Sequence, residues 1–202
     1  MQEKYIVFTG RPNAGKSSLV KELTGLKIPT GKRPGTTRKV TKYPLNDNLV
    51  LIDLPGLGKM SRASKQLEEK VNQQIIEFLE SNTQNILLAI EVLDITTFLE
   101  VTWRLEKKGI MSVDVEMVKF LEEILGEYPL IAANKIDKTN SYELEANLKE
   151  FIYRINIGST NMEKKIFPIS VKKGTGLGEL KDTIHSILVE KGYKTPFKIK
   201  SQ

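Results

Sequence analysis

The sequence GRPNAGKS, which runs from Gly10 to Ser17, decides the fold of this chain. It has the spacing of a phosphate-binding loop, G-x-x-x-x-G-K-S, and such a loop lies between a strand and a helix. Residues 5–9 predict a buried strand, and residues 16–24 carry a helical pattern. Because the glycines and the helix N-terminus bring backbone N–H groups around phosphate oxygens, we predict a nucleoside phosphate site here rather than a simple glycine turn.

Two side chains of this loop and one later segment predict the chemistry at the phosphates. Lys16 can reach the β- and γ-phosphates, and the Ser17 hydroxyl can ligate Mg²⁺. The motif DLPG begins at Asp53, directly after an apolar strand at residues 49–52. Asp53 can hold a water molecule of the Mg²⁺ shell, and the N–H of Gly56 can meet the γ-phosphate.

Two segments in the second half of the chain predict that the base is guanine. The motif NKID begins at Asn134, after a strand at residues 130–133, and ISVK occupies residues 169–172. The carboxylate of Asp137 can accept hydrogen bonds from N1–H and the 2-amino group of guanine, whereas adenine would leave a buried carboxylate unpaired. The stem of Lys135 can lie along the purine ring, and a backbone N–H of the ISVK segment can meet guanine O6.

A fifth motif, GTTR, begins at Gly35 in the loop between the first helix and the second strand. One of its threonines can complete the Mg²⁺ shell and sense the γ-phosphate, and we predict that this is Thr37. The flanks at residues 25–39 and 57–64 are then predicted to be switch segments that order with GTP and release with GDP. Each motif is weak alone, but the five in this order form the pattern of a GTP-binding G domain.

The motifs together define a set of candidate site residues. The predicted nucleotide-binding residues are Gly10, Arg11, Pro12, Asn13, Ala14, Gly15, Lys16, Ser17, Ser18, Gly35, Thr36, Thr37, Asp53, Leu54, Pro55, Gly56, Asn134, Lys135, Asp137, Ser170, Val171 and Lys172. The residues predicted to act in catalysis are Lys16, Thr37 and Gly56. The predicted Mg²⁺ ligands are Ser17, Thr37 and Asp53.

Strands and helices alternate along the chain, which predicts an α/β fold with three layers. We expect a P-loop NTPase G domain with a mostly parallel six-stranded sheet, one antiparallel edge strand and helices on both faces. The predicted strands are residues 5–9, 40–45, 49–53, 86–93, 130–133 and 166–169. The predicted helices are residues 16–24, 63–80, 99–107, 112–125, 144–155 and 177–188. Asn140 and Glu143 are the predicted start signal of the fifth helix. We expect one domain at residues 1–192, a basic tail at 193–202, and Trp103 in the packing rather than at a partner site.

The composition excludes several classes of protein. Of the 202 residues, 40% are hydrophobic and 28% are charged, which is typical of a globular protein. The chain has no cysteine, so disulfides and thiolate zinc sites are excluded, and a single histidine disfavours a multi-histidine metal site. The longest apolar run, residues 86–90, is far shorter than a membrane span. We expect no membrane span and a cytoplasmic location.

The net charge of +6 is concentrated in two parts of the chain. Residues 23–46 contain no acid and six bases, and the tail after Glu190 carries four lysines and no acid. Such segments can attract phosphate-rich partners through long-range electrostatics and counterion release. A solvated surface that only keeps the protein soluble explains the same pattern, so charge alone does not decide for a nucleic acid.

The chain resembles the EngB family of Era-like GTPases, and in particular its archaeal form. The resemblance rests on GRPNAGKSS at residues 10–18, KRPGTT at 32–37, DLPGLG at 53–58 and the segment 103–120 with VDVEM at 113–117. It implies Mg²⁺-dependent GTP binding, slow hydrolysis, a role in large ribosomal subunit assembly and an association with cell division and septation. We expect a monomer that meets ribosomal RNA or a large-subunit precursor through the basic switch loop.

The residue after DLPG is Leu57, which cannot orient an attacking water as a glutamine does in Ras-like enzymes. We therefore expect slow intrinsic hydrolysis and a missing group that comes from elsewhere. Asn13 either helps to bind K⁺, as the same asparagine does in similar Era-like loops, or only braces the loop. Arg11 and Arg38 are weaker candidates for an arginine finger within the chain.

Three other functions stay open at this point. One is a GTP-dependent binding module or sensor with negligible hydrolysis, and another is a different Era-like GTPase that acts on RNA. A metabolic ATP kinase shares the phosphate loop, but Asp137 argues against it.

Overall fold

The structure is a computed structural model that describes residues 2–26, 28, 39–46, 48–58, 64–155 and 163–193. Within these residues the strands are β1 (Lys4–Thr9), β2 (Thr41–Pro44), β3 (Leu49–Asp53), β4 (Ile86–Asp94), β5 (Leu130–Asn134) and β6 (Ile166–Pro168). The helices are α1 (Lys16–Thr24), α2 (Lys65–Ser81), α3 (Phe98–Glu106), α4 (Val113–Leu125), α5 (Ser141–Ile155) and α6 (Leu177–Glu190). Most of these bounds lie within two residues of the predicted ones.

The strands form a six-stranded sheet in the order β2-β3-β1-β4-β5-β6. Only β2 and β3 pair antiparallel, and β2 lies at the edge, while the other four pairs are parallel. In register, Phe8 of β1 lies beside Asp53 of β3 and Ile90 of β4. This arrangement confirms the predicted fold class, and it brings the carboxyl ends of β1, β3, β4 and β5 to the same edge of the sheet.

The alternation of side chains along β1 divides the apolar core between the two faces of the sheet. Ile6 and Phe8 pack with α1 and α6, whereas Tyr5 and Val7 pack with α2 and α4. A separate apolar cluster joins β4 and β5 to α3, α4 and α5, where Phe98 meets Phe151 edge to face with ring centroids 5.1 Å apart. Central strands are therefore covered on both faces, as a parallel sheet requires.

Local sequence signals fix where α5 begins. The side chain of Asn140 accepts a hydrogen bond from the N–H of Glu143 at 2.9 Å. The Glu143 carboxylate accepts one in return from the N–H of Asn140 at 3.4 Å. This reciprocal pair is a capping box, and it satisfies N–H groups that the first turn of a helix leaves free. It confirms the start that the sequence predicts for this helix.

The segment between β4 and β5 differs from the prediction in one respect. It forms the two expected helices, α3 and α4, but Trp103 on α3 is 55% exposed. The expectation that this tryptophan packs inside was therefore wrong. The physical reason is the phase of the helix, because Phe98 and Thr102 occupy the buried side of α3.

Candidate guanine nucleotide site

The phosphate loop joins β1 to α1, and two of its glycines are required by their surroundings. Gly10 and Gly15 have φ values of 135° and 111°, which L side chains rarely adopt. A Cβ at Gly10 would lie 2.1 Å from the carbonyl oxygen of Val92, and one at Gly15 would lie 2.3 Å from Nδ2 of Asn134. The loop is thus closed by strand β4 on one side and by Asn134 on the other.

Lys16 is held beneath this loop as a buried cation. Its Nζ donates to the carbonyl oxygens of Gly10 at 2.9 Å and Arg11 at 3.0 Å. Burial lowers the pKa of Lys16, while the nearby carboxylates of Asp53, Glu91 and Asp114 act to raise it. The two carbonyls use two of the three N–H groups of the ammonium, which leaves one for a phosphate oxygen.

Ser17 and Asp53 lie together at the start of α1 and the end of β3. The Ser17 hydroxyl donates to Oδ2 of Asp53 at 2.6 Å, and Oδ1 of Asp53 is buried with no hydrogen-bond partner among the described residues. Burial raises the pKa of Asp53, and the Ser17 hydrogen bond and the Lys16 charge act against that rise. A buried carboxylate oxygen without a partner beside a hydroxyl is a donor set that fits Mg²⁺.

The DLPG segment is fastened to the phosphate loop at close range. The N–H of Leu57 donates to the carbonyl of Gly10 at 3.2 Å, and the N–H of Leu54 donates to that of Phe8 at 3.1 Å. A Cβ at Gly56 would lie 2.5 Å from the backbone nitrogen of Pro12. Any displacement of Gly56 is therefore transmitted directly to the loop.

Asn134 at the end of β5 links three loops through its side-chain amide. Its Nδ2 donates to the carbonyl of Ala14 at 2.8 Å. Its Oδ1 accepts from the N–H of Lys135 at 2.7 Å and from the N–H of Val171 at 3.1 Å. The amide thus fixes the phosphate loop, the NKID motif and the ISVK motif to each other.

A pocket of about 520 Å³ opens beside this amide. The predicted site residues that line it are Asn13, Gly15, Ser18, Asn134, Lys135, Asp137, Val171 and Lys172. Lys135 adopts a left-handed conformation with a φ of 72°, and its Nζ pairs with the carboxylate of Asp94 at the end of β4. This ion pair holds the lysine stem in place along the pocket wall.

The carboxylate of Asp137 is oriented by the ISVK loop. Its Oδ1 accepts a hydrogen bond from the Ser170 hydroxyl at 2.6 Å, and this bond lowers the pKa of Asp137. An ionised carboxylate only accepts hydrogen bonds, so it suits a partner that presents donors. The Asp137 carboxylate was expected to be buried. This expectation was wrong, because Asp137 is partly exposed at the pocket mouth.

Sequence reasoning missed a group of ionisable side chains beneath the phosphate loop. Nε of Arg11 lies 2.7 Å from Oδ2 of Asp114, a fully buried residue in the first turn of α4. Glu91 on β4 is also fully buried, neither of its oxygens has a partner among the described residues, and burial raises its pKa well above the usual range. No local pattern signals these contacts, because Arg11 and Asp114 are 103 positions apart.

Part of the predicted site lies outside the described residues. These residues are Gly35, Thr36, Thr37 and Arg38. Most of both predicted switch segments and the basic tail beyond Tyr193 lie outside them as well. The Mg²⁺ ligand expected at Thr37 therefore stays a prediction.

The fold and this site define a class of protein, the P-loop GTPases. Residues 5–135 match the model of a family described as 50S ribosome-binding GTPase. Probable GTP-binding proteins EngB from Methanopyrus kandleri and Methanosarcina mazei are each 38% identical to the chain. These matches cover 93% and 90% of this chain, and 94% and 88% of the two relatives. The chain belongs to the EngB family of GTP-binding proteins, and it is a GTPase.

Solved structures agree with this assignment. A crystal structure of a probable GTP-binding protein EngB is 35% identical, with a TM-score of 0.82, and the match covers 92% of this chain and 99% of that chain. An Era variant from Aquifex aeolicus bound to GDP and AlF4⁻ is 25% identical, with a TM-score of 0.60, over 91% of this chain and 56% of that one. Among the described residues, no helix has the length and apolar character needed to cross a membrane.

The contact between Gly56 and Pro12 gives a first prediction. We expect Gly56→Ala to move the DLPG segment or the loop by about 1 Å and to lower kcat/KM for GTP about 100-fold. Gly178→Ala is the matched control, because a Cβ there meets nothing within 4 Å and neither glycine has a positive φ. Steady-state turnover of both variants checks this, and equal kcat/KM for Gly56→Ala and Gly178→Ala would contradict it.

The Arg11–Asp114 ion pair gives a second prediction. We expect Asp114→Asn to loosen the loop, to weaken GDP binding about tenfold and to lower the free energy of unfolding by about 1–3 kcal/mol. Glu116→Gln removes a carboxylate from the same first turn of α4, where Glu116 is exposed, and should change stability by less than about 0.5 kcal/mol. Calorimetric titration with GDP and urea unfolding of both variants test this. An Asp114→Asn protein that binds GDP as the wild type does would refute it.

Proposed function

We propose that this GTPase acts as a nucleotide-dependent switch in the assembly of the large ribosomal subunit, in the cytoplasm and as a monomer. The observation that carries the proposal is the match of residues 5–135 to a family described as 50S ribosome-binding GTPase. The concentration of basic residues at 23–46 supports it, because ribosomal particles are rich in phosphate. The absence of cysteine suits a reducing compartment.

At the phosphates, each described residue has a proposed task. Lys16 and the backbone N–H groups of the loop bind the β- and γ-phosphates, and the N–H of Gly56 contacts the γ-phosphate. We assign Ser17 and Asp53 to hold Mg²⁺, with Thr37 as a further ligand. A Mg²⁺ ion held by these residues would supply positive charge against the negative charge that develops on the phosphates.

At the base, Asp137 accepts from N1–H and the 2-amino group of guanine, and a backbone N–H of the ISVK loop meets O6. The Asp137–Ser170 hydrogen bond supports this assignment because it holds the carboxylate at the pocket mouth. Binding of guanine would cover the carboxylate and desolvate it. An adenine in the same place would leave it unpaired, which is the basis of the proposed selectivity.

We propose that a group other than the side chain of Leu57 assists hydrolysis. Leu57 packs against the apolar cluster of α2 and α4 and has no polar atom to orient water. Arg11 is engaged with the buried Asp114, which favours a structural role over an arginine finger. Asn13 is exposed with a φ of 64°, and K⁺ held with its help can supply positive charge. Equal turnover in potassium and sodium buffers would contradict this role of K⁺.

The proposed function is tested by sedimentation with large ribosomal subunits from a related archaeon. We expect the protein to sediment with the particles when it carries a non-hydrolysable GTP analogue and to remain in the supernatant with GDP. Binding that is the same with the analogue, with GDP and without nucleotide would overturn the switch. Failure to bind in all three states would overturn the ribosomal role.

A GTP-dependent binding module with negligible hydrolysis, working in cell division or as a nucleotide sensor, is the second candidate. Leu57 favours this second candidate, since its side chain cannot orient an attacking water as a catalytic glutamine does. Turnover measured with and without ribosomal particles separates the two. Stimulation by the particles supports the assembly switch, and unchanged slow turnover supports the module.

A further inference from the structure

An exposed surface at the end of α3 is used by none of the contacts described above. We name it the tryptophan surface, and it consists of Trp103, Arg104, Lys107, Lys108, Ile110 and Met111. Its apolar members are large and open to solvent, with exposures of 55% for Trp103, 51% for Ile110 and 48% for Met111. Exposed apolar side chains of this size, gathered near the end of one helix, are typical of interaction sites.

The backbone beneath this surface is well fixed. The N–H of Ile110 returns to the carbonyl of Leu105 at 3.1 Å, and Gly109 closes the helix with a φ of 67°. Two hydrogen bonds join the Arg154 guanidinium on α5 to the Glu106 carboxylate, at 2.9 and 2.6 Å. The tryptophan surface is therefore preorganised, which lowers the entropy lost when a partner binds.

The charge of the surface selects the chemistry of the partner. Arg104, Lys107 and Lys108 are exposed, and within the described part of the chain none of them forms an ion pair. The acid between them, Glu106, is already paired with Arg154. A surface that combines an open indole face with unpaired cations fits a strand of nucleic acid, whose bases stack on the ring while its phosphates meet the cations. An acidic protein would use the cations but would not need an aromatic ring on which to stack.

A cavity beside the surface supports the same partner. It has a volume of about 330 Å³, and Ile110, Met111 and Val115 form its apolar wall. Thr102 lines it as well, with a buried hydroxyl that has no partner among the described residues. An unstacked base can enter such a space and use that hydroxyl as a hydrogen-bond partner, since single-stranded RNA is recognised through splayed bases.

The surface is connected to the nucleotide site within a few residues. The next residues along the chain are Ser112, Val113 and Asp114, and Asp114 pairs with Arg11 of the phosphate loop. Val113 also lies beside Gly58, since a Cβ built on that glycine would be 3.4 Å from the valine side chain. The end of α3 is therefore joined by a short connection to α4, the element that is bonded to the phosphate loop.

We propose that the tryptophan surface binds a single-stranded segment of RNA through stacking on Trp103 and phosphate contacts to Arg104, Lys107 and Lys108. The proposal rests on the proposed function in one respect, because it places the RNA contact of a ribosome-assembly factor on α3. It adds a contact that is distinct from the basic loop at residues 23–46.

The chain has one tryptophan, so its tryptophan fluorescence reports on Trp103 alone. The probe is a single-stranded RNA of about 16 nucleotides, the upper end of what such sites cover, compared with the same RNA as a duplex. We expect saturable quenching of tryptophan emission by the single strand and binding of the duplex at least about tenfold weaker. No quenching at saturation, or equal binding of both RNAs, would overturn the proposal.

Substitutions test the stacking contact with labelled RNA and fluorescence anisotropy. We expect Trp103→Ala to weaken binding about tenfold and Trp103→Phe to restore most of it, because phenylalanine retains an aromatic face. Tyr142→Ala is the matched control, since Tyr142 is 81% exposed and begins α5, whose other end meets α3 through Arg154. The control should bind as the wild type does. Equal affinities for Trp103→Ala and Tyr142→Ala would overturn the proposal.

Charge substitutions test the phosphate contacts. We expect Lys107→Gln/Lys108→Gln to reduce the slope of log K against log salt by about 1.4, which is the loss of two single-strand phosphate contacts. The control is Lys4→Gln/Lys191→Gln, which removes two charges, one from the start of β1 and one from the residue that follows α6. If the control changes the slope as much as the Lys107→Gln/Lys108→Gln variant does, only overall charge matters, and the proposed site is overturned.

Sedimentation with large ribosomal subunits separates the two proposals. If the wild type sediments with particles and Trp103→Ala does so equally well, the surface is not the RNA contact, and the proposed function stands. If the wild type does not sediment while its emission is quenched by free RNA, the ribosomal role fails and the RNA surface stands. Quenching by particle proteins after ribonuclease digestion, without quenching by RNA, would identify a protein partner and overturn the inference.

Discussion

The side-chain amide of Asn134 is the contact on which the rest of the site depends. It donates to the carbonyl of Ala14 and accepts from the N–H groups of Lys135 and Val171, so one buried residue fixes three loops. Each such hydrogen bond contributes about 1 kcal/mol, and leaving a buried partner unsatisfied costs more. The same amide explains why residue 15 is glycine, because a side chain there would occupy the place of Nδ2. The positions of the phosphates and the base are thus set together.

A second constraint lies beneath the phosphate loop, where opposite charges are buried at short range. Lys16 donates to loop carbonyls, and Arg11 pairs with Asp114 of α4. Taking a charge such as that of Asp114 out of water is unfavourable unless it has a partner, so this ion pair ties the loop to α4. Through this pair the loop is connected to the end of α3, and an event at the exposed surface has a physical route to the nucleotide.

Much of the fold and of the site could be predicted from the sequence because it depends on local patterns. Gly10, Gly15, Lys16 and Asp53 stand in motifs whose spacing reflects the geometry of phosphate binding, and apolar runs place the strands around them. The Arg11–Asp114 pair could not be predicted, because contacts across the sheet leave no trace in local spacing. The exposure of Trp103 was missed for a related reason, since which side of a short helix is buried depends on its neighbours. Asp137 was expected to be buried because its proposed chemistry needs a dry environment, which the base itself would supply.

The selectivity for guanine is the central claim, and calorimetric titration with GDP and with ADP, each with Mg²⁺, tests it most directly. Because the site presents an ionised acceptor to the base, we expect GDP to bind at least about 10³-fold more tightly than ADP. Comparable dissociation constants for the two nucleotides would contradict the role of Asp137 and with it the account of the site.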